Sequence, residues 1–227
     1  MKKILVMIVV AVMATVNVAA QKDALQLAKE QAVLNEYLMK QVNKKPSKSA
    51  KKRAKDLRKD GWKTTSARSV ERQLTEAELL EEVLMEDEYG TVYKQYIIHT
   101  ALTKAETYDV AYANARMSAQ VEIASQLTNL LASAAELKTG NKGSKNAESL
   151  RGFTESAKSV TKAALADMRP LVVNYKDHPN GVCEIQLTVA FDKKVVSSRL
   201  KRKLKEELEM EADLLDELVN SVMRDFK

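Results

Sequence analysis

Between Tyr96 and Leu131 the chain changes its period, and that change constrains the fold most. Tyr96-Ile-Ile-His-Thr-Ala-Leu102 reads as a strand. From Asp109 an alanine-rich stretch follows, Asp109-Val-Ala-Tyr-Ala-Asn-Ala-Arg-Met-Ser-Ala-Gln-Val-Glu-Ile-Ala-Ser-Gln-Leu127. Val110, Ala113, Met117, Val121, Ala124, Leu127 and Leu131 recur at three- and four-residue steps, which predicts one apolar helical face. Alanine has the best helix propensity, and its small side chain lets the backbone approach a sheet closely. Thr107 is the expected N-cap, with Asp109 at the positive end of the helix dipole.

The rest of the C-terminal part supplies partners for that unit. A helix is expected from about Asn146, with Leu150, Phe153, Ala157, Val160, Ala164 and Met168 on one stripe and Pro170 at its end. Leu171–Lys176 and Val182–Phe191 read as strands joined by the hairpin signal Asp177-His-Pro-Asn-Gly181. In the second strand Cys183, Ile185, Leu187, Val189 and Phe191 face one way, and Glu184, Gln186 and Thr188 the other. Such alternation predicts one buried and one wet face. A strand is also expected over 93–103, after a turn at Tyr89-Gly-Thr91. A long last helix, about Lys193 to Asp225, carries the seam Val196, Leu200, Leu204, Leu208, Leu215, Val222 and Phe226. Its first half is basic and its second half acidic, which suits antiparallel pairing with a neighbour or a second copy, although a long capping helix with a solvated face is the simpler expectation. The expected class is α+β: a three-stranded, mostly antiparallel sheet with helices on one face, an N-terminal helical extension and a long C-terminal helix.

Residues 1–20 read as a secretory signal: Lys2 and Lys3, an apolar centre from Ile4 to Val16, and the small-residue site Val18-Ala-Ala20. Cleavage after Ala20 would leave 227 − 20 = 207 residues and a formal charge of +6 − 2 = +4. The apolar run is short for a spanning helix, so a soluble periplasmic or secreted protein is expected, with no span in the mature chain. Cys183 is the only cysteine, so stability must come from packing rather than an internal disulfide. It is expected to be a small buried hydrophobe.

The segments are expected as 21–47, an N-terminal helix (23–41, with Ala24, Leu27, Ala28, Leu34 and Leu38 on one face) and linker; 48–88, a basic and then an acidic helix; and 89–227, the α+β core. Lys40 to Arg72 contains thirteen Lys or Arg and three Asp or Glu. Within it, Ala50, Ala54 and Leu57 share one side of a helix over 48–60. Gly61 suits the left-handed position after a helix, so a Schellman end should bring Leu57 and Trp62 together. The following helix is expected over 70–86, with Val70, Leu74, Ala77, Leu80 and Leu84 inward. Its outer face should be acidic, with Glu76, Glu78, Glu81, Glu82, Glu86, Asp87 and Glu88. The two helices are expected to match charges loosely, each exposed pair adding about 0.5 kcal/mol. The alternative leaves Lys51, Lys52, Arg53, Lys55, Arg58 and Lys59 free as an anion-binding face.

Catalytic chemistry finds little support. His99 and His178 lie in a strand and a loop, and one cysteine makes no ligand cluster. There is no phosphate-cradling glycine loop and no G-x-S-x-G elbow. The expectation is a protein that is not an enzyme and uses no metal or cofactor. Export and a lone tryptophan argue against nucleic acid, whose stacking platforms need more aromatics. The partners expected are an envelope protein, an anionic glycolipid such as lipopolysaccharide, or an acidic glycan, with self-association through the C-terminal helix as a further option.

The block Tyr96–Asp192 resembles the twenty-kilodalton outer-membrane lipoprotein family and the related N-terminal domain of a flagellar envelope protein. The resemblance rests on the short strand, on Ala111-Tyr-Ala-Asn-Ala-Arg-Met-Ser-Ala-Gln-Val-Glu-Ile-Ala124 and on the closing Val189-Ala-Phe-Asp-Lys193. Ala54-Lys-Asp-Leu-Arg-Lys-Asp-Gly-Trp-Lys63 is also similar to a motif of secreted proteins of unassigned function that share this core. The resemblance implies an envelope location and offers no catalytic residues. The lipidated cysteine is missing, since Gln21 follows the expected cleavage site, so lipid anchoring is not implied.

Overall fold

The computed structural model describes residues 29, 32–87, 90–139, 155, 157–159, 161–163, 165, 168–208 and 212–226. The expected signal segment at 1–20 and Ala24, Leu27, Ala28, Leu150, Phe153, Val160 and Ala164 lie outside them. The chain forms two compact units, 1–45 and 46–227. In the first, a helix (α1) runs over 32–44, three residues past the expected end at 41, with Leu38 and Val42 buried and Glu36 paired to Lys40 at 2.7 Å.

The second unit is α+β. It contains α2 (Lys48–Lys59), α3 (Val70–Glu81), β1 (Leu84–Glu86), β2 (Val92–Lys94), β3 (Tyr96–Ala105) and α4 (Tyr108–Thr139). There follow α5 (helical at 155, 157–159 and 161–163), β4 (Arg169–Asp177), β5 (Cys183–Asp192), α6 (Lys193–Leu208) and α7 (Ala212–Asp225). The main sheet has the order β3-β5-β4 and is antiparallel throughout, from Tyr96↔Asp192 to Ala105↔Cys183 on one side of β5. The β4–β5 turn is the one the sequence signals, with Gly181 at φ 79° and His178 N–H bonded to the Val182 carbonyl at 2.9 Å.

The inward residues of β5 are as expected: Cys183, Ile185, Leu187, Val189 and Phe191 are all buried, with α4, α6 and α7 contributing to the same core. The buried side of α4 differs from the expected one in its first half. Val110, Ala113, Met117 and Val121 are exposed, and Ala111, Ala115, Ala119 and Ile123 are buried instead. The helix starts close to the sheet, with the Thr103 hydroxyl donating to the Ala111 carbonyl at 2.7 Å, and the small alanine side chains suit that approach. Farther along, Ala124, Leu127 and Leu131 are buried as expected.

Three further expectations are corrected. The helix expected over 70–86 stops at Glu81, because Leu84–Glu86 pairs with Val92–Lys94 as a ribbon around Gly90 (φ 76°), which leaves Leu84 exposed. The face of the sheet expected to be wet is partly covered by α3: Val172, Asn174, Glu184 and Ala190 are buried on it, while Gln186 and Thr188 are half-buried. The expected single C-terminal helix is two helices folded against each other. Lys193 Nζ donates to the carbonyls of Met223 (2.8 Å) and Phe226 (2.6 Å), 30 and 33 positions away at the far end. A continuous helix would set those residues about 50 Å apart. The seam that suited another copy is thereby buried within the chain at Val196, Leu200, Leu204, Leu215, Val222 and Phe226.

Candidate anion-binding face

The basic helix α2 is held by its small side chains. Ser47 caps it, accepting from the Ala50 N–H at 2.9 Å, and donates its hydroxyl to Glu78 at 2.5 Å. Ala50 and Ala54 are fully buried on the α3 side, with Leu57 half-buried beside them. The end is a Schellman motif: Trp62 N–H bonds the Leu57 carbonyl at 2.9 Å and Gly61 N–H the Arg58 carbonyl at 3.1 Å. Gly61 has φ 83°, a conformation that side-chain-bearing residues avoid. The chain then returns at once to the sheet. Lys63 exchanges two 2.8 Å backbone bonds with Tyr175, and the Thr64 hydroxyl donates to the Val173 carbonyl at 2.9 Å. The buried Gln73 accepts from Val173 N–H at 3.0 Å and donates to Thr64 Oγ1 at 3.2 Å. These bonds close the outer edge of β4, which would otherwise offer unpaired backbone groups.

All six candidate cations, Lys51, Lys52, Arg53, Lys55, Arg58 and Lys59, are exposed. Arg58 pairs with Glu71 of α3, and its hydrogen bond holds the Glu71 carboxyl below the usual range. Among the described residues this is the one ion pair joining α2 to α3. The loose charge match expected between the helices is therefore a single contact among the described residues, and two other α3 acids are engaged elsewhere. Glu78 accepts from Ser47. Glu76, expected on the outer face, is fully buried between Arg68 and Arg169. That leaves Lys51, Lys55 and Lys59 as a row at four-residue steps, about 6 Å apart along the axis, with Lys52 beside it. Arg53 sits at the rim instead. It lines a groove of about 280 Å³ between α2 and the sheet with Asp56, Leu57, Thr100, Gln186 and Thr188.

The remaining titratable groups are dispersed. His178 lies 2.7 Å from Glu184, and Lys104 3.5 Å from it. Burial pushes the Glu184 carboxyl up, but the His178 hydrogen bond and the nearby Lys104 charge outweigh that and hold it below the usual range. His99 pairs with Glu122 at 2.9 Å on the opposite side of the sheet. Cys183 is buried, and burial together with the Asp177 charge raises its thiol pKa, so it lacks the thiolate character of a nucleophile. Among the described residues no group of three or more His, Cys, Asp or Glu could hold a metal ion, and no helix is long and apolar enough to cross a membrane.

Sequence reasoning found the cations but missed the groove beside Arg53. The even-numbered β5 residues that line it lie too far along the chain from α2 for any spacing to link them. No family model, curated protein or solved structure matches the chain. The lipoprotein-like resemblance thus rests on its residue pattern.

Proposed function

We propose that the protein is a non-enzymatic, exported cell-envelope protein that works by binding, and that α2 docks an anionic glycolipid or acidic glycan. The observation that carries this reading is the row of Lys51, Lys55 and Lys59 with Lys52. These lysines are exposed and have no carboxylate partner among the described residues, while Glu71 pairs with Arg58 and Glu76 with Arg68 and Arg169. Repeated cations on a rigid helix suit repeated phosphates or carboxylates, and the attraction is long-ranged and screened by salt. The N-terminal pattern at 1–20 supports export, as does the resemblance to envelope proteins. Fractionation and N-terminal sequencing should recover periplasmic or secreted protein beginning near Gln21.

The binding test compares wild type with a variant carrying glutamine at Lys51, Lys52, Arg53, Lys55, Arg58 and Lys59. Association with lipopolysaccharide or an acidic glycan should be salt-sensitive in wild type and lost in the variant, with folding retained. Equal, salt-insensitive behaviour of the two would remove the reading. A protein partner is the second reading, favoured by the exposed apolar row Val110, Met117 and Val121 on α4. Photo-crosslinking from position 117 in living cells should capture an envelope protein, and an absence of crosslinks would count against it.

A further inference from the structure

The groove of about 280 Å³ is built from α2, α3 and the outer face of the sheet. Arg53, Asp56, Leu57 and Asp60 fall at the three- and four-residue steps of one face of α2. The facing wall is a row across the strands. Thr188 of β5 is in register with Thr100 of β3 on one side and Val172 of β4 on the other, and Gln186 lies two residues back on the same face of β5. Val172 and Leu74 of α3, each 2 % exposed, join Leu57 as the apolar part of the lining.

The polar groups of this lining are left over by the fold. Arg53, Asp56 and Asp60 have no side-chain partner among the described residues. Asp56 lies in the last turn of α2 and Asp60 caps it, at the negative end of the helix dipole, where a carboxylate is unfavourable. Helix stability therefore does not account for the two acids. The Thr100 and Thr188 hydroxyls share one hydrogen bond at 2.8 Å, which leaves one of their two hydrogens for another acceptor. Gln186 Oε1 accepts from Asn174 Nδ2 at 3.3 Å, so the Gln186 amide N–H groups remain as donors. Asn174 is 1 % exposed on the same face of the sheet, and its Oδ1 has no hydrogen-bond partner among the described residues. A buried amide oxygen left in that state is costly, so the wall carries unused polar capacity.

Charges of both signs in one groove select against simple ions. Asp56 and Asp60 repel an anion, and Arg53 with the lysine row beside it repels a cation. A hydroxyl suits both, because it donates to a carboxylate and accepts from a guanidinium or an amide. A ring with several hydroxyls and C–H faces uses the polar and the apolar lining together. Around the helix, Asp56 is four residues from Lys52 and three from Lys59, so the groove adjoins the lysine row. We propose that the groove seats a sugar ring of the polyanion docked on α2. Asp56 and Asp60 accept from its hydroxyls, Arg53 and Gln186 donate to them, and the anionic group of the adjacent unit lies against Lys52 and Lys59. This rests on the reading of α2 as a polyanion-docking helix and adds what restricts that polyanion to a saccharide.

The full chain is titrated at fixed ionic strength with two probes. One is the delipidated, phosphorylated oligosaccharide of lipopolysaccharide; the other is inorganic polyphosphate of matched charge, which has no hydroxyl-bearing ring. Calorimetry gives Kd, and amide NMR shifts locate the bound probe. The oligosaccharide should bind about tenfold more tightly, the worth of a hydrogen bond or two to charged groups. It should shift residues 53–60 together with Thr100, Gln186 and Thr188, whereas polyphosphate should shift α2 alone. Asp56→Asn with Asp60→Asn separates the two contributions, because it makes α2 more positive while removing the acceptors. Polyphosphate should bind that variant about two- to threefold more tightly, and the oligosaccharide about tenfold more weakly. Opposite signs of this kind do not arise from a loss of folding. Gln186→Ala should weaken the oligosaccharide alone, and glutamine at Lys51, Lys52, Lys55 and Lys59 should weaken both probes. Tightening of both probes in the double-Asn variant, or equal Kd for the two probes in wild type, overturns the groove proposal and leaves the polyanion reading of α2 standing. Binding of neither probe by folded wild type removes both.

Discussion

Glu76 offers the sharpest test of how the two layers are fastened. Its carboxylate is fully buried on α3, one oxygen taking Arg68 from the preceding turn and the other Arg169 from the start of β4. The arginine side chains are 36 % and 37 % exposed, against 0 % for the glutamate. That asymmetry fixes the order of costs. Breaking a buried pair costs about 3–5 kcal/mol when the charge left behind stays buried. After Glu76→Gln the two guanidinium groups left behind can turn toward water, so solvent screening discounts the loss to about 1–2 kcal/mol. Arg68→Met with Arg169→Met strands a carboxylate that has no route to water, and the full ~3–5 kcal/mol applies. Adding Glu76→Leu to that double variant removes the stranded charge and should restore most of the stability, since apolar replacement of a buried ionic group is often neutral. Urea unfolding at pH 7 with m unchanged measures all three. The reasoning fails if Glu76→Gln costs as much as the double-arginine variant, or if the triple variant is no better than the double.

Three other outcomes follow from single side chains. Cys183 is 6 % exposed and should resist thiol reagents in the native protein, and Cys183→Ala should cost about 1 kcal/mol; rapid labelling of folded protein would contradict its burial. Gly61→Ala should cost about 1–2 kcal/mol through the φ of 83° alone, because the added Cβ meets only Lys176 Cε at an ordinary 3.6 Å; thermal unfolding of Gly61→Asn should show a smaller loss. Lys193 holds its proton less tightly folded (about 8) than unfolded (about 10.4), so the unfolded state binds more protons between those values and stability should rise with pH there. The buried Cys183 thiol, the Tyr96 and Tyr93 hydroxyls and the Lys63 ammonium, all raised in pKa, pull the other way, so the gain of wild type over Lys193→Met from pH 8 to 10 is the quantity to measure.

What the sequence disclosed was local. The Schellman end of α2 needs six consecutive residues, and Leu57 through Trp62 supply them. The inward face of β5 needs only alternation. The face of α4 was misread because two stripes fit the same period: Val110, Met117 and Val121 on one side, Ala111, Ala115 and Ala119 on the other. Ranking by side-chain size selects the first. The fold takes the second, whose methyl groups suit a helix that starts within hydrogen-bonding reach of Thr103. The break between α6 and α7 was hidden for a similar reason, since one periodic seam serves either a long helix or two helices whose seams face each other.

The charged groups were the least legible, and the distances in sequence say why. Arg169 reaches Glu76 across 93 positions, and Lys193 reaches Phe226 across 33. Nothing in the neighbourhood of Glu76 separates it from Glu78, Glu81 or Glu82, and a solvated surface is the correct expectation for most such residues. Burial becomes affordable only when the fold brings in partners that no local pattern announces. The same logic makes the cations of α2 informative. They lie in a row that the sequence exposes plainly, and of the α3 acids that folding could have brought, Glu71 pairs with Arg58 alone, Glu76 is taken by Arg68 and Arg169, and Glu78 by Ser47. A row left uncompensated after folding is stronger support for an external anion than the same row in the sequence, where internal pairing was the simpler expectation.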